Sequence, residues 1–84
     1  MATVKLFGAF QDMAGWAERE IDVTTLGAIK AAVAESDPRL PKRLDHPSTL
    51  VILNAAVIPH SLRRDDAPVS MSDEIAFGPP VSGG

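Results

Sequence analysis

Nucleophiles, bases and metal ligands are scarce in this sequence. It holds no cysteine, which excludes a thiolate nucleophile, a thiolate metal site and a disulfide framework together. The two histidines, His46 and His60, each adjoin a proline, and neither has a partner at ligand spacing, so both read as surface residues and no metal site is expected. Asp65-Asp66 and Asp73-Glu74 are consecutive residues whose side chains diverge, so neither pair is placed to share a proton in acid–base work. Ser61, Ser70, Ser72 and Ser82 lack a nucleophile-elbow context, and no glycine-rich phosphate cradle of either common spacing is present. What remains is the end of the chain, Gly83-Gly84. Two residues without a β-carbon take any allowed backbone conformation and fit through a channel too narrow for a side chain. The Gly84 carboxyl, titrating near ~3.5, is ionised at neutral pH and is a poor electrophile until it is activated. Gly84 is therefore the candidate reactive residue, and Pro80, Val81, Ser82 and Gly83 form the segment that would thread it into an enzyme. Fully extended, Pro80 to Gly84 reaches about 17 Å at ~3.4 Å per residue, from a base stiffened by Pro79-Pro80. A frayed or vector-derived terminus would carry the same two glycines, so the rest of the chain must decide what this end means.

That rest is one small domain. With 84 residues there is room for a single core, bounded here as residues 1–78, with 79–84 as a projecting, flexible tail. A net charge of −3 and only four aromatics, three Phe and one Trp, provide neither a basic stripe nor a stacking platform, so nucleic-acid binding is not expected. The longest strongly apolar run, Leu50–Leu53, is far below the ~20 residues that cross a bilayer, and the N-terminus lacks a signal-peptide layout. The expectation is a soluble, cytoplasmic protein without membrane association.

Alternation in Thr3–Phe7 predicts a first strand, and Phe10, Met13 and Ala14 predict one or two helical turns ending at Gly15. In Ala17–Val23 the acidic Glu18, Glu20 and Asp22 oppose Arg19, Ile21 and Val23, which predicts a second strand paired antiparallel with the first around Gly15-Trp16. Trp16 and Phe10 are expected to cover the edge of the core rather than to anchor a partner. Thr24 or Thr25 caps the main helix, in which Leu26, Ile29 and Val33 recur at helical spacing. Pro38 ends it near Ser36-Asp37, and Pro41 and Pro47 keep the following stretch irregular or briefly helical. Leu50–Leu53 is a buried strand, Val57-Ile58 its short return, Arg63–Asp66 an exposed turn, and Glu74–Phe77 the last strand. Pro79 and Pro80 offer no ladder donors, so the sheet stops by Phe77 or Gly78.

The order of these elements resembles a β-grasp, an α+β ubiquitin-like fold with a mixed sheet on one main helix and the first and last strands paired centrally. The run from Asp73 to Gly84 resembles the C-terminal signature of the MoaD/ThiS sulfur carriers, closest to the molybdopterin synthase small subunit. Phe7 to Gly15 looks like that family's first strand and turn, and Ile52-Leu53-Asn54 like its central strand. Departures fall at Gln11, Ser72 and Gly78, where the family commonly has arginine, glycine and a second aromatic. The resemblance implies that the protein binds no cofactor itself. A MoeB-like, ubiquitin-activating-type adenylyltransferase would use ATP to form an acyl-adenylate on Gly84, and persulfide sulfur would convert it to a thiocarboxylate. A MoaE-like large subunit would then receive the tail for dithiolene formation in molybdenum cofactor biosynthesis, in a heterotetramer built from carriers that are monomers alone. The catalytic residues would belong to that subunit, and docking is expected around Phe77, Gly78 and Leu62. Two other readings stand beside it: a carrier for the thiamine thiazole or another sulfur-requiring pathway, and a ubiquitin-like modifier joined to lysines.

Overall fold

The computed structural model describes residues 1–79. Five strands form one mixed sheet: β1 (Ala2–Leu6), β2 (Glu18–Ile21), β3 (Leu50–Leu53), β4 (Ala56–Val57) and β5 (Glu74–Gly78), in the spatial order β2-β1-β5-β3-β4. The last strand lies centrally, parallel to β1 and antiparallel to β3. The pairing of β1 with β2 is antiparallel, as their alternation implied, with Ala2 opposite Ile21 and Lys5 opposite Glu18. A short helix, α1 (Ala9–Ala14), occupies the connection, and it closes on Gly15 in the left-handed region with φ 80°.

The principal helix is α2 (Leu26–Ala34), and Thr25 is its cap, its hydroxyl accepting from the Ala28 N–H at 3.2 Å. Leu26, Ile29 and Val33 turn inward onto the sheet face that carries Val4, Leu6, Val51, Ile75 and Phe77. The proline-punctuated stretch contains one more short helix, α3 (Leu40–Asp45), with Pro41 in its first turn, where a missing N–H is harmless, and with Leu40 and Leu44 buried. Lys30, only 14% exposed, bridges α2 to Asp45 on α3 and to Asp65 in the loop before β5, each at 2.8 Å. Burial opposes the Lys30 charge, and the two carboxylates more than offset it, raising its pKa. Gly27 lets that loop close on α2, since a β-carbon there would stand 2.9 Å from the Asp65 carbonyl oxygen.

Three expectations need refinement. Arg63 is not part of a wholly exposed turn: its guanidinium donates to the carbonyls of Ile58, at 2.9 Å, and of Thr49, tying the strand-poor middle together. Docking was expected around Phe77 and Gly78 as exposed residues, and both are buried, Phe77 at 0% exposure. The third concerns Trp16, which does cover the core edge but is also held from both sides, donating through Nε1 to Ser36 Oγ at 3.0 Å and stacking under the Arg19 guanidinium. His46 and His60 are exposed, as expected.

Candidate functional site

The site begins where β5 leaves the sheet. Because β5 is central, its backbone is held on both sides: Phe77 is level with Leu6 of β1 and Val51 of β3, and Gly78 is level with Leu50. The Phe77 carbonyl accepts from the Phe7 N–H at 3.0 Å, one residue beyond β1. The next residue, Pro79, has no donor to extend the ladder, so the sheet ends here for the reason the sequence suggested. Pro79 instead packs on Gly8. A β-carbon on Gly8 would lie 3.0 Å from Pro79 Cγ, and Gly8 has φ 56° and ψ −130°, a conformation nearly closed to residues with a side chain. The described chain therefore ends on a braced strand and a fitted Gly8–Pro79 contact.

Gly84, Gly83, Ser82, Val81 and Pro80, the reactive end and threading segment foreseen from the sequence, lie outside the described residues, which end at Pro79. Of the foreseen docking residues, Phe77 and Gly78 meet at that root but are buried, whereas Leu62 stands 62% exposed on the 3-10 turn His60–Leu62. Phe7 was not singled out for docking and is 49% exposed beside Gly78: a β-carbon at Gly78 would be 3.7 Å from Phe7 Cβ. With no side chain at Gly78, the Phe7 ring supplies the aromatic surface on this side. The sheet face away from α2 continues through Ile52 to its partner Val57, which is 58% exposed. The other part of that face is charged, with Lys5 placed 3.1 Å from Glu74 and 3.9 Å from Glu18. The Glu74 hydrogen bond and charge raise the Lys5 pKa.

The start of β5 is fixed as firmly as its end. The Asn54 side chain accepts from the Glu74 N–H at 2.8 Å and donates to Asp73 at 2.9 Å, while the other Asp73 oxygen accepts from Ser70 N–H at 2.8 Å. These bonds, the Asn54 amide first, lower the Asp73 pKa. Among the described residues no group of His, Asp and Glu is placed to hold a metal ion, and no helix is long and apolar enough to cross a membrane.

A mixed five-stranded sheet with its terminal strand in the centre, packed on one principal helix, defines a ubiquitin-like β-grasp protein. A similar architecture is seen in the small archaeal modifier protein 1 of Methanosarcina acetivorans, 25% identical, with a TM-score of 0.80 and coverage of 99% of this chain and 95% of that one. The same protein from Haloferax volcanii is 27% identical, with a TM-score of 0.75 and coverage of 99% and 98%. A putative molybdopterin converting factor subunit 1 from Pyrococcus furiosus shares the fold at 16% identity, with a TM-score of 0.71 and coverage of 95% and 97%. No curated protein is significantly similar in sequence. The ThiS family model matches residues 4–84, and the chain belongs to that family of small sulfur-carrier and ubiquitin-like proteins.

Proposed function

We propose that the protein carries sulfur as a thiocarboxylate on Gly84 and serves as the small subunit of a molybdopterin synthase. The observation that carries this reading is the family match running through Gly83-Gly84, at the far end of a strand braced on both sides up to Gly78. A carrier needs a reactive end and a rigid base from which to present it, and no catalytic constellation is evident in its own described residues. In the proposed cycle a Gly84 carboxylate oxygen attacks the α-phosphate of ATP in an adenylating enzyme, and pyrophosphate leaves. The terminal sulfur of a persulfide attacks the acyl carbon and expels AMP, and a thiol cleaves the resulting acyl disulfide to release the thiocarboxylate. The large subunit of the synthase then takes the tail, with Phe7, Ile52 and Val57 offering the apolar surface for docking.

The test is intact-mass measurement after incubation with ATP, a persulfide source, a thiol and the organism's own ubiquitin-activating-type adenylating enzyme. A gain of about 16 Da, from exchange of oxygen for sulfur, is expected, and it is abolished by deleting Gly84. Absence of the gain with an enzyme shown to be active on ATP refutes the carrier reading.

A second reading has its own support: the small archaeal modifier proteins are more similar in sequence, at 25% and 27%, than the molybdopterin converting factor at 16%. In that case Gly84 forms isopeptide bonds to lysines of other proteins. A Gly84-dependent ladder in cell extract, with branched peptides ending in Gly83-Gly84, decides for the modifier.

A further inference from the structure

Among the described residues the cationic side chains are mostly engaged, with one local exception. Of its eight Lys and Arg residues, Lys5, Lys30, Arg39 and Arg64 form ion pairs with carboxylates. Arg63 is spent on two backbone carbonyls, and Arg19 stacks on Trp16 at 4.5 Å. Lys42 and Arg43 are left, with no ion pair among the described residues. They are neighbours on α3, both are exposed, and both line the same cleft of about 500 Å³.

That cleft opens at the root of the tail. Ala9, Phe10 and Pro79 supply apolar wall, and His46 and Thr49 complete the polar side with Lys42 and Arg43. The polar rim is held in place by its own backbone. Thr49, 4% exposed, donates its hydroxyl to the Arg43 carbonyl at 2.5 Å, pinning the end of α3 to the start of β3. His46 Nδ1 accepts from the Ser48 N–H at 3.0 Å, which leaves Nε2 to carry the ring proton and act as a donor.

We propose that this cleft is a docking point for an acidic segment of the adenylating enzyme: an apolar side chain seats against Phe10 and Pro79 while flanking carboxylates meet Lys42 and Arg43. The inference rests on the carrier reading given above. Two observations favour an acidic partner that takes the tail. Pro79 belongs both to the cleft wall and to the exit of the tail, so any enzyme that takes residues 80–84 must bring its entrance to this point. In a chain of net charge −3, two adjacent unpaired cations beside an apolar wall complement a partner segment of opposite charge.

Steady-state thiocarboxylation kinetics with that enzyme, at low salt near ~50 mM, supply the test. Lys42→Glu/Arg43→Glu is expected to raise KM for the carrier at least about tenfold with kcat changed less than about twofold, an effect that shrinks at ~0.5 M salt. Arg64→Glu, a single charge reversal at an ion pair outside the cleft lining, leaves KM unchanged. Should the reversed pair fold poorly by circular dichroism, Lys42→Gln/Arg43→Gln carries the same test with a rise of several-fold. An unchanged KM in these variants, with the wild type charged normally, overturns the cleft and leaves the carrier reading standing. A fall in KM also overturns it, since the cations would then be holding the chain's own carboxyl terminus. If the wild type is never charged by an active enzyme, the carrier reading fails first and this inference with it.

Discussion

Gly8 offers the sharpest test of how the tail root is built. In Gly8→Ala the new methyl meets two obstacles. The backbone at φ 56° and ψ −130° is disfavoured for any residue with a side chain, a cost of about 1–3 kcal/mol. The methyl also sits 3.0 Å from Pro79 Cγ and 3.2 Å from Cδ, so Pro79 must shift by a few tenths of an ångström. That overpacking adds about 1 kcal/mol if the ring yields, the low end for an inserted methyl. Together the two come to about 2–4 kcal/mol, and at roughly 4–8 °C per kcal/mol for a domain of this size the melting temperature should fall by about 8–30 °C. Gly15→Ala is the internal control, because Gly15 also has positive φ, 80°, but nothing lies within 4 Å of the added carbon. It should cost only the left-handed backbone, about 1 kcal/mol. The assay is urea unfolding of both variants, of Pro79→Ala, and of Gly8→Ala/Pro79→Ala. The double variant should be about 0.5–1 kcal/mol less destabilised than the sum of its singles, since removing the ring removes the clash and not the backbone strain. If Gly8→Ala is no worse than Gly15→Ala, or the two changes simply add, the Gly8–Pro79 contact does not brace the exit of β5.

The remaining predictions concern the far hairpin and acid stability. Ala55, at φ 70°, shares the turn between β3 and β4 with Asn54 at φ 49°, so Ala55→Gly should give the asparagine-glycine pair such turns favour and stabilise by about 0.5–1 kcal/mol, read from the urea midpoint. At Asp37, the Arg39 side chain and backbone N–H hold the carboxyl down to about 2, from an ordinary 3.8. The folded state thus keeps this group ionised where the unfolded chain protonates, so its stabilising effect is full above pH ~4 and is lost as pH falls toward ~2. Asp73 is shifted in the same direction. Melting curves from pH 5 to 2 should therefore decline less steeply in Asp37→Asn than in the wild type, and a parallel decline would show that the Arg39 contact does not persist in solution.

Legibility in the sequence followed the strength of local signals. The α2 helix was readable because its cap and its apolar spacing coincide, with Thr25 accepting from Ala28 and Leu26, Ile29 and Val33 inward. The end of β5 was readable because proline chemistry acts locally. The orientation of Phe77 was not: in a central strand Ile75, Ala76, Phe77 and Gly78 are all buried, which erases the alternation that would have told one face from the other. Phe7 escaped notice for the complementary reason. It lies one residue past β1, and its exposure depends on Gly78, far away in sequence, leaving room beside it.

By itself the sequence determined the element types, the single core and the family signature through Gly84, because capping, periodicity, proline and glycine act over a few residues. Only the tertiary structure decided that β5 lies between β1 and β3, that Gly8 and Pro79 meet, and that Lys42 and Arg43 have no carboxylate partners among the described residues beside Pro79. Those are relations between residues distant along the chain, and they exist only once burial of the shared core has brought the segments together.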